Sequence, residues 1–256
     1  MSKTESIYDL IRGLDVLARR LLSERPLGKS YIMGAAITTY IWFILCIIIY
    51  LQFSEQLIHA VDILIGVVGI SAFFGVVVYS LYKINAHLEL ASYYFTHLRD
   101  IIIRLSEVNE EKLTTLTENI TLTRRIRLEY SPAALVFGYL ALIAPNVFLS
   151  VGLFVVFVVV LAVFLYKGVN ILQSHIKKEN ALVEEVAYIT GFNLPSFKIG
   201  LTCIGGAYVV GFIVSLGTLL LKCIVDVNSY LDTHIIEHRI VHEELKKFIL
   251  LKTETE

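Results

Sequence analysis

The sequence has few cysteine, proline, methionine and charged residues. Its 256 residues include three cysteines, four prolines and two methionines, and only 18% of the residues are charged. Cys46, Cys203 and Cys223 lie in or beside apolar stretches without metal-ligand spacing, which indicates packing residues rather than a disulfide framework. The net charge of −1 gives no basis for nucleic-acid binding, so we expect no nucleic-acid partner.

The sequence also lacks the motifs that mark common active sites. It contains no P-loop, no glycine-rich dinucleotide turn, no nucleophile elbow and no HExxH pair of zinc-binding histidines. Without such a constellation of residues, we expect a protein that is not an enzyme. We likewise predict no catalytic residue, no cofactor and no resident metal.

Charged residues are absent from four long apolar runs. A helix needs about 20 apolar residues to cross a bilayer, and 56% of this chain is hydrophobic. The pattern predicts an all-α, polytopic helical membrane protein with about five membrane segments (roughly four to six) and cytoplasmic amphipathic helices. The four runs are Tyr31–Phe53, Ile63–Tyr82, Ala133–Tyr166 and Ile199–Leu221.

The distribution of basic residues predicts the orientation in the membrane. The turn Ser54-Glu55-Gln56 has no Lys or Arg, whereas the segments on both sides of the first two runs are basic. Because cytoplasmic loops carry the excess of Lys and Arg, residues 1–30 and 83–131 are predicted to lie inside. We therefore expect a multi-pass protein of the cell membrane with a cytoplasmic N-terminus.

Apolar side chains at three- and four-residue spacing predict amphipathic helices outside the apolar runs. In the first segment, Leu10, Leu14 and Leu21 share one such stripe. The resulting division is an N-terminal amphipathic helix (1–30), a transmembrane hairpin (31–83), a cytoplasmic helical region (84–131), a second apolar hairpin (132–167), an extramembrane helix (168–198), a last transmembrane span (199–222) and a C-terminal amphipathic helix (223–256).

The third apolar run is too long for one straight crossing. As a single helix it would extend about 51 Å, against about 30 Å of hydrocarbon. Pro145 and Asn146 interrupt it, and such a pair is typical of a turn. A re-entrant half-helix, a hairpin with a short first arm and one kinked helix all fit this pattern. We favour the hairpin.

A weak repeat supports the hairpin interpretation. An apolar-tyrosine-lysine triplet ends both the first hairpin and the third run, and each triplet leads into a helix with an early Asn and a His. A degenerate third copy follows the last run. The copies are Leu81-Tyr82-Lys83 with Asn85 and His87, Leu165-Tyr166-Lys167 with Asn170 and His175, and Leu221-Lys222 with Asn228 and His234.

Glu55, His59 and Asp62 are candidates for ion or proton handling. Their spacing of four and three residues places them on one face at the outer end of the second span, just before the second apolar run. Ionisable groups in a membrane segment are expensive and are candidates for proton or ion sites, and carboxylate and imidazole groups together bind divalent metals. The alternative is that all three meet water at the interface, or pair within the hairpin.

His234, His238 and His242 recur at every fourth residue of the C-terminal segment. Two histidines at this spacing can share a metal ion, but the third lies a further turn away. We interpret the stripe as a solvated or helix-packing face.

The last span contains a ladder of small residues at four-residue spacing. Small side chains let helix backbones approach closely, which drives association in lipid. The partner is either another span of this chain or a second subunit. The ladder consists of Cys203, Ala207, Gly211 and Ser215.

These features predict a non-catalytic scaffold or subunit of a membrane protein complex. Its extramembrane helices would dock partners, and its partners would be the lipid bilayer together with further copies or other membrane subunits. The alternative is an oligomeric channel or transporter for ions or small solutes. That alternative depends on Glu55, His59, Asp62 and the break at Pro145 and Asn146.

Overall fold

The structure is a computed structural model that describes residues 3–24, 56–106, 110–198 and 218–255. The described residues form α-helices and one 3₁₀ turn, with no β-strand among them. This part of the chain is all-α, as predicted. The helices are α1 (Lys3–Ser23), α2 (Gln56–Leu105), α3 (Glu110–Thr121), α4 (Pro132–Leu142), α5 (Val147–Thr190) and α6 (Thr218–Thr255).

Two stretches in the described part of the chain are long and apolar enough to cross a membrane. They are Gly66–Leu105 within α2 and Phe148–Thr190 within α5. Their length and composition support a membrane location for the protein. Residues 31–53 and most of the predicted last span (199–217) lie outside the described residues.

α2 and α5 each run without a break from an apolar half into a charged half. They contain 50 and 44 residues, which corresponds to about 75 Å and 66 Å at helical rise, more than twice a hydrocarbon core. The divisions drawn after residues 83 and 167 therefore fall inside continuous helices. The composition changes there within one helix, and no helix-breaking proline accompanies the change.

The two long helices approach each other closely at Gly168 of α5. A Cβ atom placed on this glycine would lie only 2.5 Å from the Cδ2 atom of Leu81 on α2 and 3.1 Å from the Cδ1 atom of Ile126. The Asn85 side chain fixes the neighbouring loop, because its amide donates to the Ile126 carbonyl (2.9 Å) and its Oδ1 accepts from the Ile126 N–H (2.8 Å). This packing sets the spacing of α2 and α5 just before their charged halves.

The chain reverses direction between α4 and α5, at the Pro145-Asn146 pair. Asn146 is the N-cap of α5, and its Oδ1 accepts a hydrogen bond from the Leu149 N–H at 2.8 Å. The Ser150 hydroxyl donates to the Ala141 carbonyl at 2.7 Å and so joins the two arms. α4 has 11 residues, about 16 Å, and is shorter than a bilayer crossing.

The charged halves of α2 and α5 pack with α1, α3 and α6 into a helical bundle. Leu14 and Leu21 of α1 are each 2% exposed, so the stripe predicted for this helix faces the core. Leu113 and Ile120 of α3 are buried in the same way. Burial of these stripes supplies the hydrophobic free energy that holds the bundle together.

Candidate metal centre

Four histidines and a glutamate lie close together in the interior of the helical bundle, where apolar side chains are the rule. Each of the five is at most 2% exposed. α2 contributes His87, α5 contributes His175 and Glu179, and α6 contributes His234 and His238. The four-residue spacing on α5 and on α6 places each pair on one helix face. We call these five residues the His–Glu cluster.

The nitrogen and oxygen atoms of the cluster have the separations of metal ligands. The Glu179 carboxylate lies 2.9 Å from His234 Nε2 through one oxygen and 3.4 Å from His238 Nε2 through the other. The two Nε2 atoms are 3.2 Å apart. One donor atom from each of these residues and from His87 lies within 4.8 Å of all the others. Around an ion with bonds of about 2.1 Å, adjacent donors are about 3.0 to 3.4 Å apart.

Several nitrogens of the cluster have no hydrogen-bond partner among the described residues. Both ring nitrogens of His87 are buried without one, although its ring packs edge-on against His234 at 4.9 Å between centroids. Leaving a buried polar atom unsatisfied costs about 1–3 kcal/mol. A metal ion would satisfy one His87 nitrogen and the facing atoms of its neighbours together.

Burial lowers the pKa of His238 below its ordinary value, although the Glu179 carboxylate acts in the opposite direction. This favours the neutral imidazole, which is the form that binds metals. Burial also acts against the charged form of His234, but Glu179 outweighs it and raises the pKa of that residue. A buried carboxylate needs a neighbouring cation, and a divalent metal ion would supply more charge than one proton.

An aromatic side chain closes one side of the cluster. The Phe197 ring lies against His234 and His238, with centroids 4.8 Å and 4.5 Å away. Asn180 of α5 fixes Phe197 by donating to its carbonyl (2.9 Å) and accepting from its N–H (2.7 Å). The buried apolar ring excludes water and strengthens electrostatic interactions inside the cluster.

A second polar group lies one turn further along α6 and fastens α1 to it. His242 Nε2 lies 3.1 Å from Asp15 Oδ1, and Lys246 Nζ donates to Asp15 Oδ2 at 2.7 Å. The Tyr94 hydroxyl lies 3.2 Å from His242 Nδ1. Burial alone would raise the pKa of Asp15, but Lys246 and His242 outweigh it and hold this pKa below its ordinary value. We call Asp15, His242 and Lys246 the Asp15 clamp.

The structure describes the sequence-predicted sites unevenly. Glu55 lies outside the described residues, and although His59 and Asp62 belong to α2, their side chains also lie outside the description. The ladder of Cys203, Ala207, Gly211 and Ser215 lies entirely outside it. Pro145 and Asn146 form the turn before α5.

The histidine stripe of α6 is buried against other helices, so it is the helix-packing face that was one of the two interpretations and not the solvated face. His234 and His238 point into the cluster, whereas His242 joins the Asp15 clamp. Because a helix rises about 5.4 Å per turn, the third histidine lies too far along to share the same centre.

Sequence reasoning missed Glu179 and the meeting of the helices. His87 and His175, noted only as parts of a weak repeat, come together with His234 in one cluster. Glu179 follows His175 by four residues, the spacing that also relates His234 to His238. These two pairs at the same four-residue spacing were the feature of the sequence from which the cluster could have been predicted.

No protein-family model, no curated protein and no solved structure matches this chain.

Proposed function

We propose that this protein is a multi-pass membrane protein whose cytoplasmic helical bundle binds a transition-metal ion, and that it acts as a non-catalytic scaffold or complex subunit. The observation that carries the proposal is the His–Glu cluster. Three helices, distant in sequence, place buried imidazole and carboxylate groups at coordination distances from one another. Imidazole with carboxylate is a common ligand set for first-row metals.

A metal ion at the cluster would fix the membrane segments relative to one another. It would join α2, α5 and α6, and α2 and α5 continue directly into their apolar halves. In small zinc-binding peptides the apparent binding free energy is about 10–16 kcal/mol. A fraction of that binding free energy would be enough to fix the positions of α2, α5 and α6 relative to one another.

The closed surroundings of the cluster favour a structural role over catalysis. Catalytic metal sites keep an open position for water or substrate, whereas structural sites are enclosed by the protein. His87 and Glu179 are fully buried and Phe197, 2% exposed, covers the α6 side. A substrate would have to displace this packing to reach the ion.

The exposed residues of the apolar halves support the membrane location. Val68 of α2 is 58% exposed and Val151 of α5 is 49% exposed, as expected for side chains that face lipid. Tyr82 and Tyr166, both exposed, precede Lys83 and Lys167 at the charged ends of these halves. Tyrosine and lysine are typical of the membrane–water interface. The predicted arrangement of about five segments with a cytoplasmic N-terminus is part of this proposal.

The scaffold part of the proposal concerns the outer surface of the bundle. Tyr188 is 85% exposed and Tyr93 is 53% exposed, and tyrosine is enriched where proteins bind one another. The predicted partners are the lipid bilayer, further copies of this chain and other membrane subunits. The small-residue ladder of the last span would provide a contact surface within the membrane.

The test is extraction in mild detergent from the native membrane, followed by mass determination of the intact assembly. We expect a defined complex with other subunits and a metal ion in each chain. A lone monomer that associates with nothing would contradict the scaffold role. A homo-oligomer without other proteins would instead favour the channel or transporter, to be tested by flux in proteoliposomes with Asp62→Asn as the variant.

A further inference from the structure

We propose that the His–Glu cluster is a six-coordinate centre for a divalent metal of the iron type, with His175 as its fourth imidazole ligand, rather than a tetrahedral zinc site. This inference rests on the proposed function, since it assumes that the cluster binds a metal. It adds the number of ligands and the class of metal.

The first argument is the position of the His175 ring. Its Nε2 atom lies 3.1 Å from Glu179 Oε1, the separation of adjacent ligands. Both atoms are buried, and neither has a hydrogen-bond partner of good geometry among the described residues. Two buried polar atoms that lie close together without bonding each other have the arrangement expected when both face a third atom.

The second argument is the hydrogen bonding of the other His175 nitrogen. Nδ1 lies 3.3 Å from the Thr123 hydroxyl, and the same oxygen accepts a hydrogen bond from Lys178 Nζ at 3.0 Å. If Nδ1–H donates to Thr123, the lone pair of the imidazole lies on Nε2, toward Glu179. Histidines that bind metals are usually held by such a partner on the other nitrogen. Thr123 is therefore a positioning residue.

The third argument is the orientation of the carboxylate. One Glu179 oxygen lies beside His234 Nε2, while the other lies beside both His175 Nε2 and His238 Nε2. Both oxygens thus face the imidazole donors, as a bidentate carboxylate does. Four imidazoles and two carboxylate oxygens make six donors.

The number of donor atoms indicates which metals the cluster would bind. Structural zinc is almost always four-coordinate, so six donors do not suit it. Imidazole-rich sites suit iron, copper, nickel and zinc, and among these a six-donor set favours Fe²⁺ and its relatives Co²⁺ and Ni²⁺. His175 lies outside the set of four whose donor atoms are all within 4.8 Å of one another. Its link to that set is the 3.1 Å contact of its Nε2 atom with Glu179 Oε1, through which it would join the ligands.

The proposal is tested by replacing the metal with Co²⁺ in the full-length, detergent-purified protein. Octahedral Co²⁺ absorbs weakly in the visible range, whereas tetrahedral Co²⁺ absorbs strongly because the site lacks an inversion centre. We expect weak bands in the unmodified protein and a several-fold rise in absorbance per cobalt in His175→Gln. His97→Gln, on α2 outside the cluster, is the matched control and should leave the spectrum unchanged.

Intense bands in the unmodified protein would overturn the six-coordinate centre in favour of a tetrahedral one. A spectrum that does not change in His175→Gln would remove His175 from the ligand set. Failure of any metal to bind would contradict the proposed function itself, which separates the two claims. If His175→Gln does not fold, X-ray absorption by the Co²⁺ protein counts the ligands directly, with six expected and four overturning the proposal.

Thr123→Val tests the positioning role. We expect its metal affinity to fall about 10- to 100-fold, as for other outer partners of metal-binding histidines, while the saturated cobalt spectrum stays that of the unmodified protein. Unchanged affinity would exclude Thr123 from the site.

Discussion

Substitution of His87 by leucine distinguishes a metal centre from an ordinary polar core, because the two predict opposite changes in the free energy of unfolding when metal is present. His87 is fully buried, and neither of its ring nitrogens has a hydrogen-bond partner in the described part of the chain. Without metal, His87→Leu removes two buried polar atoms at about 1–3 kcal/mol each. Packing changes offset part of this gain, since new side-chain shapes cost up to about 1.5 kcal/mol. We expect the metal-free variant to be more stable than the unmodified protein by about 2 kcal/mol.

With metal the order should reverse. A ligand at a thousandfold excess over its dissociation constant stabilises the folded state by about 4 kcal/mol, and His87→Leu loses most of this contribution with its ligand atom. The unmodified protein should then be more stable than the variant by about 2 kcal/mol, which is the metal's stabilisation minus the gain from removing the buried polar atoms. At this chain length the difference corresponds to roughly 4–8 °C in melting temperature.

The assay is thermal unfolding in detergent, followed by circular dichroism with a chelator and with added metal. His97→Leu on the same helix is the control, and metal should shift its melting temperature as much as that of the unmodified protein. If His87→Leu is stabilised equally under both conditions, His87 is not a ligand and the metal argument fails at this residue.

Three further substitutions test the packing around the centre. Gly168→Val should destabilise the protein by about 1–3 kcal/mol, because the new side chain meets Leu81; an unchanged unfolding midpoint in denaturant would contradict the close approach of α2 and α5. Asn180→Leu leaves two backbone groups of Phe197 without partners, at about 1–3 kcal/mol each, and should raise the rate of metal loss to a chelator; an unaltered rate would show that this ring does not close the site. Asp15→Asn should lower the free energy of unfolding by about 1 kcal/mol. Because the pKa of Asp15 is lowered in the folded state, the stability that this carboxylate contributes is present above its ordinary pKa of 3.8. It is lost as the pH falls through the lowered value. Stability curves of the variant and the unmodified protein should therefore converge in acid, and a constant difference at all pH values would exclude the clamp.

The helical class was predictable because it depends on local pattern. Leu14 and Leu21 of α1 are buried, as their spacing indicates. The ends of the apolar runs divided the chain at residues 83 and 167, and both divisions lie inside helices that continue unbroken. Composition reports the surroundings of a segment, whereas helix continuity depends on the absence of a breaking residue.

The cluster was only partly predictable, because its ligands come from three helices. The spacing of His234 and His238 indicated a possible metal pair, but a single helix gives no information on which residues face it. His87 and Glu179 join the pair through the packing of α2 and α5 on α6. That packing depends on contacts between distant parts of the chain, such as Gly168 with Leu81, and no local pattern specifies them.

The central claim is that this bundle is built around a metal ion, and the most direct test is the metal content of the full-length protein. The protein would be purified without chelators from its native membrane, beside the double variant His234→Ala, His238→Ala. We expect close to one first-row transition-metal ion per chain in the unmodified protein and almost none in the double variant, with helical content retained in both. A folded, unmodified protein with far less than one metal ion per chain, or equal metal content in both proteins, would contradict the account.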